Sequence, residues 1–240
     1  MHLFGVPGRR VGRAVMHMGL DRRHLRSTEG LTFWKLLGTG DGHTFKLRDA
    51  DLRRWGLLAV WASGDDLHRF ERSSPVARGW RRLADEHWRA DLRPLRSRGT
   101  WARRAPFAPP SPSGATGALA GSAAGPVAAI TRARLRLGRG GVFRQAVPPV
   151  ALDAARAPGL RLSVAIGEAP VGLLGTFSVW QDQSALEAFA YRGDAHRQVV
   201  RRTPGERWYA EELFARFDVC GVSGDRTVLG WDQEALDGDG

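Results

Sequence analysis

One cysteine, Cys220, stands in 240 residues. A lone thiol closes no disulfide within the chain and builds no cysteine-based zinc site, so a reducing, cytoplasmic setting is the default expectation. Lysine is nearly absent, with only Lys35 and Lys46 among 36 basic residues. No apolar run approaches the roughly 18 residues that a spanning helix needs. The opening "MHLFGVPGRRVGRAVMHMGL" carries arginines but no uninterrupted apolar stretch, and reads as a poor signal peptide. The histidines never fall in the H-E-x-x-H spacing of zinc enzymes, and G-x-S-x-G is missing. "GTGDG" (38–42) lacks the G-K-S/T ending of a phosphate loop and precedes a strand-like run, so a hairpin turn is expected there.

What is present is arginine, apolar residues and tryptophan. The formal charge is +11, with 42% hydrophobic residues and nine tryptophans. A sizeable core follows from the second pair of numbers. The charge invites a nucleic-acid reading, but the arginines are scattered through apolar segments in an Ala- and Gly-rich chain, as GC-rich codons alone produce. No nucleic-acid partner is expected. A peripheral attraction to anionic lipid, on the inner face of a membrane, stays open.

The clearest break is "RAPFAPPSPSGATGALAGSAAGP" (104–126), read as an exposed linker. It separates a first unit (1–103) from a second (127–224), followed by an acidic tail (225–240). The two units look like copies. "GLTFWKLLGTG" (30–40) resembles "GLRLSVAIGEAP" (159–170), and "LLAVWASGDDLHRF" (57–70) resembles "TFSVWQDQSALEAF" (176–189). Val60-Trp61, Leu67 and Phe70 match Val179-Trp180, Leu186 and Phe189 at one offset of 119, and Trp88 pairs with Trp208 after a one-residue slip. The second unit reads as a strand (126–137), a helix (141–157) broken at Pro148-Pro149, strands near 160–167 and 173–180, a helix from about Gln183 and a final strand. The first unit reads as a short opening strand in "HLFGVP", a helix (8–19), strands at 31–37 and 55–61, a helix (65–89) and a strand (90–97). That order is β-α-β-β-α-β, the ferredoxin-like unit. The fold class is therefore α+β, two fused ferredoxin-like repeats in a dimeric α+β barrel-like arrangement, with a hollow between sheet and helices suited to a flat apolar ligand.

His196 shares a helical face with Phe189, Val199 and Val200. An imidazole there can be a core residue, a general base or a metal ligand. Its counterpart at the 119 offset is Ala77, so packing in that slot does not require a ring. Arg197, Arg201 and Arg202 follow it, a charge run whose ordinary use is a solvated face. His2, His17, His24, His43, His68 and His87 show no ligand spacing. Cys220, in the alternating "FDVCGVSG", reads as a buried structural thiol rather than a thiolate ligand.

"SPVARGWRRLADEHW", "GPVAAITRARLR", "IGEAPVGLLGTFSVW" and "AHRQVVRRTPGERWYAEELFARF", with "GLTFWKLLGTG", resemble the spheroidene monooxygenase family of bacterial carotenoid biosynthesis. The likeness runs from about Gly30 to Gly224 and leaves out the linker. It implies a place among the dimeric α+β barrel proteins, haem as cofactor, and oxygenation of an acyclic carotenoid near one end to a hydroxyl and then a ketone. It implies His196 as the axial metal ligand, since related haem barrels use a helical histidine in the C-terminal half. Arg197, Arg201 and Arg202 then suit the propionates as bidentate partners, and Trp34, Phe177 and Trp180 are candidates for the substrate pocket. The implied partners are a hydrophobic small-molecule substrate and an electron donor or peroxide. Dehydration or N-oxygenation on the same haem, or a haem or lipid carrier without turnover, are the alternatives. The short first strand and the alanine-rich linker depart from the family pattern.

Overall fold

The computed structural model describes residues 1–41, 49–107, 125–135, 157–168, 175–192 and 209–225. These contain β1 (His2–Gly5), α1 (Val11–Arg26), β2 (Leu31–Gly40), β3 (Ala50–Trp61), α2 (Gly64–Ser73), α3 (Pro75–Leu83) and β4 (Glu86–Gly99). After them come β5 (Val127–Leu135), β6 (Leu160–Gly167), β7 (Gly175–Trp180), α4 (Gln183–Arg192) and β8 (Tyr209–Gly224). Every neighbouring strand pair is antiparallel, and the order β1-β3-β2-β6-β7-β5-β8-β4 closes on itself as a barrel.

Strand alternation divides the apolar residues between two compartments. Leu3, Leu37, Trp88, Ile130, Ile166, Phe177 and Leu213 fill the lumen. Phe4, Leu36, Trp55 and Leu57 point outward and pack under α1, α2 and α3. Helices α2 and α3 begin where the sequence signals a start. Ser63 caps α2 by accepting from the Asp66 N–H, with Asp65 and Asp66 in the first turn. The expected helix over 65–89 is two helices, because Ser74 caps a new start at Pro75, and β4 already begins at Glu86.

The halves share one strand order: β4-β1-β3-β2 in the first and β8-β5-β7-β6 in the second. Their registers also match. Leu31 faces Trp61 as Leu160 faces Trp180, Phe33 faces Val60 as Leu162 faces Val179, and the same bulge separates these pairs in each half. Across the β4–β8 seam, Leu95 and Cys220 are each skipped, so each strand carries one extra residue at corresponding places. Gly99 and Gly224 end the two strands with φ of +91° and +89°, and a Cβ on either would lie 2.1 Å from a facing carbonyl oxygen. Only glycine fits both places. Arg93 faces Asp218 at the centre of this seam, each the counterpart of the other.

Several expectations change. The counterpart of Trp88 is Leu213, since Leu213 faces Gly99 as Trp88 faces Gly224; Trp208 lies outside the described residues. The offset grows from 119 to 125 because the connection into β8 is longer than that into β4. Cys220 is exposed instead of buried, since the bulge takes it out of the strand's alternation. The linker does not begin as an exposed segment. Phe107 is buried in the lumen between Phe33 and Phe217, and Trp101 beside it contacts Phe33. β2 and β3 pair as a hairpin at "GTG", but through a long connection, of which 42–48 lie outside the described residues. So do 108–124, the expected helix around Pro148-Pro149, and the tail beyond Asp225.

Candidate functional site

Apolar side chains pack inside the barrel. Trp88 and Phe177 lie with ring centres 6.1 Å apart, both fully buried. Beside Trp101 lies a polar cluster that local sequence signals do not reveal. Glu168 accepts from Lys35 Nζ at 2.7 Å, Trp101 Nε1 at 2.6 Å and Arg132 at 3.2 Å. Arg132 also donates to Glu211, which accepts from Thr100 Oγ1 at 3.0 Å and the Arg103 N–H at 2.7 Å. Burial pushes the Glu211 carboxyl up, but the Arg103 N–H, Arg132 and Thr100 outweigh it and bring it down to about 2. Glu168 is likewise raised by burial and lowered more strongly by Lys35, Trp101 and Arg132, ending below the usual carboxylate range. Both cations also lie over the Trp101 ring, Lys35 at 5.9 Å and Arg132 at 5.4 Å. Lys35 and Arg132 each pair with a carboxylate of the cluster, Glu168 or Glu211.

Outside the barrel the two halves differ. Under α1–α3 the first half presents His2, Phe4, Trp34, Leu36 and Leu57. At the matching register positions the second half carries Thr131, Ala133, Ser163, Ala165 and Thr176. Each is smaller. Ser163 and Thr131 are exposed where Trp34 is half-buried and His2 is buried. Comparing the repeats position by position reveals this difference from sequence once the offsets of 129 and 119 are known.

The first-half face holds a histidine pair that spacing did not single out. His2 Nδ1 and His87 Nε2 are 3.2 Å apart, their rings stacked at 5.5 Å, with Phe4 and Trp80 continuing the stack. Burial pushes both imidazoles down, His87 to about 4, and Arg81 and Arg89 add to the effect. The counterparts of His2 and His87 in the second half are Thr131 and Glu212, so this pair belongs to one half. Among the described residues no three His, Cys, Asp or Glu side chains are placed to hold a metal ion.

The candidates from sequence separate. Trp34 lies on the outer face of the first half. Phe177 is in the lumen. Trp180 is on the outer face of the second half, stacked on Phe189 at 5.1 Å, with its Nε1 donating to Ser178 Oγ at 3.0 Å. The structure does not bring these three into one pocket. His196, Arg197, Arg201 and Arg202 lie outside the described residues.

Among solved structures, an aldoxime dehydratase in complex with butyraldoxime shares the fold, with a TM-score of 0.57 at 13% identity over 91% of this chain and 77% of that one. No profile of a known family matches the chain. Curated relatives do. The spheroidene monooxygenase of Rhodobacter capsulatus is 33% identical over 216 residues, 88% of this chain and 84% of the relative. That of Rubrivivax gelatinosus is 32% identical over 196 residues, 81% and 71% of the two chains. A third, from Cereibacter sphaeroides, is 31% identical over 80% of this chain but 57% of its own greater length. Likeness at this level across most of the sequence makes the chain a member of the spheroidene monooxygenase family.

Proposed function

We propose that this protein is a haem-dependent monooxygenase that oxygenates a hydrophobic substrate, most simply an acyclic carotenoid, on the outer face of its second half. Family membership supports the oxygenase and its substrate class. One observation carries the site: large side chains on the first face become Ser163, Ala165, Thr176, Thr131 and Ala133 on the second. A flat macrocycle fits a sheet face cleared in this way. The same reading takes the barrel as two ferredoxin-like repeats fused in one chain, supported by their shared strand order and register.

The repeat also supports His196 as the ligand. Ala77 is buried on α3 among the residues that pack over the first face, with Val76 and Trp80. At the offset of 119, the one that aligns Leu67 and Phe70 with Leu186 and Phe189, His196 is the sequence counterpart of Ala77. Haem bound there supplies dioxygen or peroxide activation for attack on a C–H bond. The chain's part is to ligate the iron through one imidazole nitrogen of His196 and to pair the propionates with Arg197, Arg201 or Arg202. Trp180 packed on Phe189 keeps water from one edge of the face. On this reading the substrate is held against the same outer face as the haem.

The test is the optical spectrum of protein expressed with added haem. A Soret band is expected, and His196→Ala should abolish or strongly shift it with the circular dichroism unchanged. Arg201→Ala and Arg202→Ala should only weaken haem retention. An unchanged band in His196→Ala removes the ligand assignment, and a wild type that takes up no haem removes the cofactor. Turnover of a carotenoid with reductant and oxygen then tests the substrate class separately.

A further inference from the structure

We infer that α1 and α3 form a docking surface for anionic lipid, an assignment independent of the cofactor and the substrate. Helix α1 buries one stripe, Ala14, Met18, Asp21 and Leu25, against the rest of the protein. Its opposite stripe is unusual for a solvated helix. Met16 and Leu20 are 60% and 65% exposed at its centre, and Val15 beside them is 46% exposed. Around them stand the exposed Arg13, Arg23 and Arg26, with Arg9 just before the helix. The only acid on α1 is Asp21, which is buried and accepts from Trp80 Nε1 at 2.9 Å.

Helix α3 extends this surface. Gly79 brings it so close to α1 that a Cβ there would lie 2.7 Å from the His17 ring. Its sequence, PVARGWRRL, holds no acid, and Arg78 and Arg82 face solvent. Among the described residues, no carboxylate pairs with Arg9, Arg13, Arg23, Arg26 or Arg78. The result is a small apolar centre ringed by unpaired arginines, which is the complement of a negatively charged headgroup layer over hydrocarbon. No described helix is long and apolar enough to cross a membrane, so contact by these helices would lie along the surface.

Two other occupants fit less well. A second copy docking through the same patch would bring α1 against α1, arginines facing arginines with no acid between them. Nucleic acid would satisfy the arginines but set phosphates against Met16 and Leu20.

The test is co-sedimentation of the purified protein with phosphatidylcholine vesicles, with and without phosphatidylglycerol. Binding is expected only when the anionic lipid is present, and it should weaken as salt rises. The double variant Met16→Asp/Leu20→Asp, and separately Arg23→Gln/Arg26→Gln, should each lower partitioning on the order of tenfold or more. Arg98→Gln, on β4, should leave it unchanged. All five side chains are exposed, so circular dichroism should match wild type throughout. Equal binding to both vesicle types, no binding to either, or double variants that partition like wild type would overturn the inference. Duplex DNA binding lost with the arginine pair but kept in Met16→Asp/Leu20→Asp would overturn it too. So would a sedimenting dimer that Leu20→Asp dissociates.

Discussion

The first half of the barrel closes its outer face with Phe4, Trp34, Leu36 and Leu57, and the second leaves serine, threonine and alanine in the same places. Strand order and register are shared, so the backbone does not require the difference. It lies in the side chains alone. A face of large apolar residues stabilises the fold by burial, at about 1.5–3 kcal/mol per side chain. On the haem reading, a face of small ones gives up that contribution to make room for the ligand. The second half should therefore gain the more from a bound ligand, since ligand binding to the folded state adds stability by mass action.

The sharpest way to break this comparison is to make the second face like the first. Ser163→Trp combined with Thr176→Leu should eliminate haem uptake, read as the Soret band per protein, while thermal stability holds or rises. Full haem stoichiometry in that variant would place the site elsewhere. The converse change empties the first face. Leu57→Ala should cost about 2–5 kcal/mol in denaturant unfolding, because it leaves a cavity under α3. The matching Thr176→Ala should cost under about 0.5 kcal/mol. Equal losses would mean that both faces are packed alike.

Acid should separate the halves less strongly. His87 is held at about 4 and His2 below its ordinary value, so the unfolded chain binds protons that the folded one refuses. The part that the histidines govern should be complete above about pH 6.5 and fall as pH drops toward 4. His87→Gln should flatten that part of a melting-temperature profile. A second loss should follow below about pH 4.5 as Glu211, held at about 2, takes up its proton. An identical slope in His87→Gln between pH 6.5 and 4 would remove the histidine pair as its cause. The smallest effect is expected at the seam between the halves. Arg93 is half-exposed, and Arg93→Gln should leave the denaturation midpoint close to that of wild type.

Much of this architecture is legible in the sequence, and what is not has identifiable causes. The Val-Trp blocks at 60–61 and 179–180 locate β3 and β7 because buried strands alternate and both copies keep that alternation. The helix from Gln183 is visible for similar reasons. The exposure of Cys220 is hidden from the sequence because one skipped residue breaks the alternation that signals burial. Phe107 was lost in a linker composition, where one aromatic anchor hardly alters the Pro/Ala/Gly signal. The Lys35–Glu168 and Arg132–Glu211 pairs join positions 133 and 79 residues apart, beyond any local pattern. At the candidate haem site, sequence reasoning named a ligand from likeness, whereas the small-residue face emerged only when register aligned the two copies.

The pairing of Arg93 with Asp218 carries one more consequence. Their contact, 2.6 Å from Nη2 to the carboxylate, lies where the two repeats exchange places. In a barrel assembled from two identical chains, the residue on that axis meets its own copy, arginine against arginine or aspartate against aspartate. Opposite charges can face each other there only when the two sides are encoded separately. The join between β4 and β8 thus sets opposite charges face to face where two identical strands would set like ones.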